Sequence, residues 1–250
     1  MAIALGVVIG VTLGLLGGGG SILTVPIFVY VLGFGAKEAI AMSLAVVGVT
    51  SLVGTAGHWR AGNVNLRVAA VFGSVAMLGT YAGAKLATRL SGTTQLAIFA
   101  VVMLVAAAFM FRDRGRAPAA APSRAPTRGG AMMALVVIEG LAVGLLTGVV
   151  GVGGGFLIVP ALVLLALPMR EAVGTSLAII ATNCVVGFWG YLGHVAVDWR
   201  AIALVTAGTI PGTSLGVYLH RRVPQQTLRL GFSVFLLLVA VFILYQNLLA

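Results

Sequence analysis

Long apolar segments, separated by short polar or glycine-rich breaks, fill almost the whole of this 250-residue chain. They lie at about 1–16, 21–33, 37–58, 66–90 and 93–111, and again at about 131–150, 155–167, 170–193, 199–219 and 225–248. A helix crosses the hydrocarbon core of a bilayer with about 20 apolar residues, and the third, fourth and fifth segments of each set have that length. In lipid, backbone N–H and C=O groups must be paired within the protein, so runs of this kind form helices. Only 8% of the residues are charged, against about 25% in soluble domains, so a water-facing surface cannot be built. The apolar content excludes a disordered chain. Glycine is abundant, at 35 residues, but follows no three-residue period, which excludes collagen. The expected fold is all-α, a polytopic integral membrane protein.

The chain repeats itself. Gly17 to Pro26 (GGGGSILTVP) matches Gly151 to Pro160 (GVGGGFLIVP) at six of ten positions, at an offset of 134. Lys37 to Ala45 matches Arg170 to Ala178 at five of nine, and Met77 to Arg89 matches Ile210 to Arg222 at five of thirteen, both at an offset of 133. The reading is a tandem duplication: a transmembrane repeat over 1–111, a linker over 112–130 and a second repeat over 131–250. The linker, RDRGRAPAAAPSRAPTRGG, holds five Arg and three Pro without an apolar period, as an extended polar connector would. The second segment of each half is short, starts at a glycine cluster and carries an early proline, Pro26 or Pro160; these are marks of a half-helix.

The net charge of +10 does not point to nucleic acid, because the 15 Lys and Arg lie in connectors between apolar runs. They report topology instead. If the broken first pair of each half is a re-entrant hairpin, each half makes three crossings and the repeats are inverted. With the linker inside, eleven basic residues are then inside and four (Lys37, Lys85, Arg89 and Arg200) outside. If the pair crosses once, the repeats are parallel and the split is eight to seven. The positive-inside rule favours inverted repeats in a multi-pass protein of the cell membrane. The N-terminus lacks a basic leader region and reads as part of the mature chain. The single cysteine, Cys184, excludes an intramolecular disulfide framework.

The glycine clusters are the candidate substrate site: Gly17, Gly18, Gly19, Gly20 and Ser21 in the first half, Gly151, Gly153, Gly154 and Gly155 in the second. Non-helical backbone inside a membrane persists only when buried in protein or lining a wet cavity. Each cluster precedes a new helix, whose first amides lack partners and carry the positive end of the helix dipole. Ser21 is placed to cap the first of these helices, with Gly155 in the matching place. Two facing cradles near mid-membrane would suit a small anion. The competing reading is close helix packing through small residues. The third segments carry matched polar positions, Ser43 with Ser176 and Thr50 with Asn183. These could contact substrate or bond neighbouring helices. Glu139 lies inside an apolar segment opposite Leu5 of the other half and is a candidate proton carrier. His58 and His194 read as counterparts at a membrane boundary, with Trp59, Arg60, Asp198 and Trp199 close by. No spacing gathers metal ligands or a catalytic triad, so neither a cofactor nor enzymatic activity is expected.

The motifs GLLGGGGSILTVP and GVVGVGGGFLIVP, with KEAIAMSLA, REAVGTSLA and GHWRAGNVNLR, resemble those of the sulfite exporter TauE/SafE family. The resemblance spans the chain except the linker and departs from symmetry where GGGGS faces GVGGG. It implies a polytopic inner-membrane transporter exporting sulfite, organosulfonates or related sulfur-containing anions, driven by an ion gradient. The expected partners are a small anionic substrate and the lipid bilayer; association with further copies of the chain is left open. The alternatives are a proton- or cation-coupled carrier of another small solute, and a non-transporting membrane assembly factor.

Overall fold

A computed structural model describes residues 1–112, 130–150, 155–165, 167–220 and 222–249. Among them are ten α-helices and no strand: α1 (Ala2–Leu16), α2 (Gly19–Pro26), α3 (Ala36–Arg60), α4 (Leu66–Ala87), α5 (Gly92–Arg112), α6 (Gly130–Val150), α7 (Gly155–Leu164), α8 (Met169–Tyr191), α9 (Trp199–His220) and α10 (Gln225–Leu249). The apolar segments therefore became helices with ends shifted by a few residues. Five described stretches are long and apolar enough to cross a membrane: α3, α4, α8, α9 and Gln226–Gln246 of α10. Ala2–Leu16, Gly20–Val31, Gly92–Ala108 and Val136–Val150 are shorter apolar helices.

The end of α2 follows from Pro26, which has no N–H to give the carbonyl one turn back. The next turn, Ile27–Val31, widens into a π-helix, with Leu32 N–H bonded to Ile27 O at 2.9 Å. A local insertion of this kind absorbs the missing bond without ending the helix. At the other end of the bundle, Asn65 caps α4 by accepting from Val68 N–H at 3.1 Å. Its backbone N–H donates to Thr175 Oγ1 at 2.9 Å, and its Nδ2 donates to Glu171 Oε1 at 3.0 Å, tying the α3–α4 loop to the first turns of α8.

Glycine contacts fix how the helices run. A Cβ at Gly6, Gly10 or Gly14 of α1 would lie 2.2–2.4 Å from the Val205, Thr209 or Thr213 carbonyl oxygen of α9, respectively. Residue numbers rise together along this seam, so α1 and α9 are parallel. Gly208, Gly212 and Gly216 return the contact against Ile3, Val7 and Val11 oxygens. The same seam recurs between α4 and α6: Gly79 and Gly83 meet Leu141 O and Leu145 O, and Gly144 and Gly148 meet Ala76 O and Thr80 O. By contrast α3 and α8 are antiparallel, with Gly48 beside Cys184, Gly54 beside Leu177 and Gly187 beside Leu44. Gly57 beside Val217 and Gly54 beside Thr213 make α3 parallel to α9; Gly190 beside Ala84 and Gly187 beside Thr80 make α8 parallel to α4. Helices α1, α3 and α9 thus run one way, and α4, α6 and α8 the other.

Because α1 and α3 run the same way, the segment between them must return. Gly20 packs back on α1, its Cβ position 2.2 Å from Ile9 O and 2.5 Å from the Leu13 side chain. Helices α1 and α2 are therefore a hairpin that enters and leaves at one end of the bundle. Its apolar flank closes over Ile9, Phe28, Met42, Val46 and Val205, all fully buried.

Lipid gives no hydrophobic drive between helices, so these seams depend on van der Waals contact and on Cα–H···O approaches that only glycine permits. A Cβ at Gly144 would lie 2.1 Å from Ala76 O, whereas one at Gly231 on α10 would meet nothing within 4 Å. Overpacking of this sort costs roughly 1–3 kcal/mol. An exposed helical Gly→Ala change gains up to about 1 kcal/mol. In detergent-solubilised protein, Gly144→Ala should lower the thermal midpoint and Gly231→Ala should leave it unchanged or raise it; equal midpoints would contradict the seam.

Candidate functional site

The first glycine cluster forms a sharp break. Helix α1 ends at Gly17, whose φ of +73° lies in the left-handed region that favours glycine. Gly17 N–H bonds to Leu13 O and Gly18 N–H to Leu16 O, both at 2.8 Å. Helix α2 then starts at Gly19 with Gly18 as its N-cap, and no side chain caps it. Gly18, Gly20 and Ser21 are buried. A helix start that is both buried and uncapped leaves strong donors looking for an acceptor. The start lies two residues earlier than expected, and this corrects the role given to Ser21. It sits inside the first turn, and its hydroxyl donates to Gly18 O at 2.7 Å instead of accepting from an amide.

The break faces the other half. A Cβ at Gly17 would meet Ser176 Oγ at 2.9 Å and Val173, both on α8. A Cβ at Gly155, the first residue of α7, would lie 2.7 Å from Gly18 Cα and 2.5 Å from Ile180. The two cluster regions therefore touch, glycine to glycine. Gly151, Gly153 and Gly154 lie outside the described residues.

Ser176, Ile180 and Asn183 succeed one another at helical spacings of four and three, so one face of α8 presents all three toward the breaks. Asn183 has no exposed surface, and neither its Oδ1 nor its Nδ2 has a hydrogen-bond partner among the described residues. A buried amide left unpaired costs about 1–3 kcal/mol, so this position calls for a partner that the described residues do not supply. The other matched positions are engaged. Thr50 Oγ1 lies 2.6 Å from Thr209 Oγ1 on α9 and donates to Val46 O. Ser43 donates to Ile40 O and Ser176 to Val173 O, both at 2.8 Å. With their protons committed to carbonyls, these hydroxyls offer an incoming anion only lone pairs; the free donors are backbone amides and Asn183 Nδ2.

The structure also shows residues that the sequence reading missed. At the end of α1 the Gly14 and Leu15 carbonyls are met by two histidines. His58 Nε2 bonds to Gly14 O at 3.1 Å and His220 Nδ1 to Leu15 O at 2.7 Å. The rings stack edge-to-face with centroids 4.8 Å apart. Helix α6 ends the same way, with Tyr191 Oη donating to Gly148 O at 3.0 Å and Gln95 Nε2 donating to Val149 O at 3.1 Å. His58 is thus a buried residue, 1% exposed, and not a boundary anchor. Its counterpart at the offset of 133 is Tyr191, not the exposed His194. Keeping that offset fixed would have exposed the pairing. Trp59 and Trp199 are exposed, as a membrane boundary requires.

Glu139 lies about midway along α6, half-buried, one residue before Gly140, whose Cβ position contacts Val75 of α4. Its Oε2 is buried without a hydrogen-bond partner among the described residues. It is not part of the contacts at the glycine breaks given above.

Comparison with known proteins agrees with this architecture. A "Probable membrane transporter protein" of Xylella fastidiosa (strain 9a5c) is 32% identical over 251 residues, covering 99% of this chain and 95% of that protein. "Probable membrane transporter protein YdhB" of Bacillus subtilis (strain 168) is 26% identical, covering 88% and 90%. A "Probable membrane transporter protein" of Haemophilus influenzae is 26% identical, covering 96% of each. No solved structure matches. The family described as sulfite exporter TauE/SafE matches residues 2–243. With its all-helical, membrane-spanning fold, the chain is a member of the TauE/SafE family of membrane transporters.

Proposed function

We propose that this transporter is a secondary carrier that exports a small sulfur-containing anion, such as sulfite or an organosulfonate, across the bacterial inner membrane. The observation that carries the reading is the meeting of the two glycine breaks on the face of α8 that also carries the unpaired, buried Asn183. An anion there would accept from the uncapped amides of α2 and from Asn183 Nδ2, both oriented before it arrives. Inverted repeats belong to the same reading. Under the repeat offset, α1 corresponds to α6 and α9 to α4, so the two parallel seams exchange; α3 corresponds to α8, and these run antiparallel. Such symmetry supports alternating access, in which each half takes the other's conformation.

Asn183 separates substrate binding from packing. A packing role makes Asn183→Leu destabilising; a substrate role makes it stable but inactive, because the change removes an unsatisfied amide from the interior. We expect an unchanged or raised thermal midpoint. In proteoliposomes loaded with sulfite, thiosulfate or methanesulfonate, efflux should fall at least about tenfold, the loss of roughly one hydrogen bond to a charged group. Normal efflux of every anion by this variant would remove Asn183 from the site, and no efflux of any of them by the wild-type protein would remove the substrate class.

Glu139 is the coupling residue in this reading, supported by its unpartnered Oε2. Glu139→Gln should abolish transport driven by a pH gradient and leave anion exchange at equal pH intact. Loss of both, or of neither, counts against that role.

A further inference from the structure

Two histidines packed ring to ring inside a membrane protein are a titratable cluster that the anion site and Glu139 leave unused. A carbonyl oxygen only accepts, so the bonds to Gly14 O and Leu15 O require a proton on His58 Nε2 and on His220 Nδ1. In neutral His220 this leaves the lone pair on Nε2, which is buried without a hydrogen-bond partner among the described residues. Protonation there adds a charge and breaks neither carbonyl bond. Two imidazolium rings at 4.8 Å would repel strongly in surroundings of low dielectric, so the pair holds one proton, not two. The added charge lies at the C-terminal end of α1, the negative end of its dipole.

Few other charges face the pair. Helices α1 and α2, with the break between them, contribute no ionisable side chain between Ala2 and Pro26. From α8, Arg170 acts on His220 through space, while Glu171 accepts from Asn65. Arg60 on α3 is exposed, and Arg222, just past α9, is exposed and lies over the Tyr218 ring. The equivalent carbonyls of α6 are held by Tyr191 and Gln95, which stay neutral at ordinary pH. Among the described residues, therefore, only the carbonyl partners at the first break can gain charge.

We propose that His58 and His220 form a single shared proton-binding site on the last carbonyls of α1, and that its occupancy raises the affinity of the adjacent Gly17–Gly18 break for an anion. The linkage rests on the anion reading of that break; the proton site itself does not. Linkage is reciprocal: a bound anion raises the proton affinity of the pair by the same factor.

The full chain with isotope-labelled histidine offers a direct test, because its three histidines are His58, His194 and His220 and His194 is exposed. NMR titration in detergent between about pH 5 and 8 brackets an ordinary imidazole, and His58→Gln and His220→Gln assign the signals. His58 and His220 should take up one proton between them. Methanesulfonate, whose charge is constant over this range, should raise the midpoint of the pair by about one unit, equivalent to tenfold tighter anion binding with the proton in place. The double variant His58→Gln/His220→Gln, made in a Glu139→Gln background, keeps donors for both carbonyls, as Gln95 does, and should bind methanesulfonate without pH dependence. Uptake of two protons or of none overturns the proton site. Bound methanesulfonate with no shift in the midpoint overturns the linkage. A pair that takes one proton in a protein that binds none of methanesulfonate, sulfite and thiosulfate at any pH overturns the anion reading and the linkage with it, and upholds the proton site.

Discussion

Backbone touching backbone is the contact on which this molecule depends. Along α1–α9 and α4–α6, carbonyl oxygens of one helix occupy the space that side chains on the other would need. In a bilayer there is no water to expel between helices, so close approach replaces apolar burial as the source of cohesion. The abundance of glycine, odd for a helical protein, follows from this. Glycine costs a soluble helix about 1 kcal/mol per residue relative to alanine. Here that cost is offset by contacts no larger residue permits. The seams also set direction, since a parallel partner for α1 leaves α2 no course but to turn back.

That turn places unpaired amides deep in the protein, and the rest of the site adjusts to them. Gly18 and Gly155 close against each other, so a ligand entering between them must part the two half-helix starts. What would hold a ligand once inside is backbone, which cannot change its rotamer and carries no titratable proton. The side chains around it divide by whether their hydrogen is already used. Ser21, Ser43, Thr50 and Ser176 have spent theirs on local carbonyls, and Asn183 has not.

Much of this was legible in the sequence. Apolar run length located nearly every helix, because in lipid an uninterrupted apolar run has one way to pair its backbone. The glycine clusters located the breaks for the same reason. The partners were not legible: nothing in the glycine rows of α1 or α6 says that the matching rows lie on α9 and α4, since small residues form seams with many neighbours. Ser21 was misread because a hydroxyl near a helix start can cap it or bond back one turn, and the start moved by two residues. His58 was misread through its neighbours. Trp59 and Arg60 are boundary residues, but His58 lies on the opposite face of the same turn and points inward to α1. The widened turn after Pro26 has no signal beyond the proline itself.

The seams also bear on the stretch of chain between the halves. The first helix of each half is seated on the fourth helix of the other, and Asn65 is bonded to Thr175 and Glu171 across the same divide. The polypeptide that joins them is therefore not what keeps them together. Two separate chains, each carrying one half, have every interlocking surface they need. Lengthening, shortening or severing the joint would leave in place every one of these contacts among the described helices.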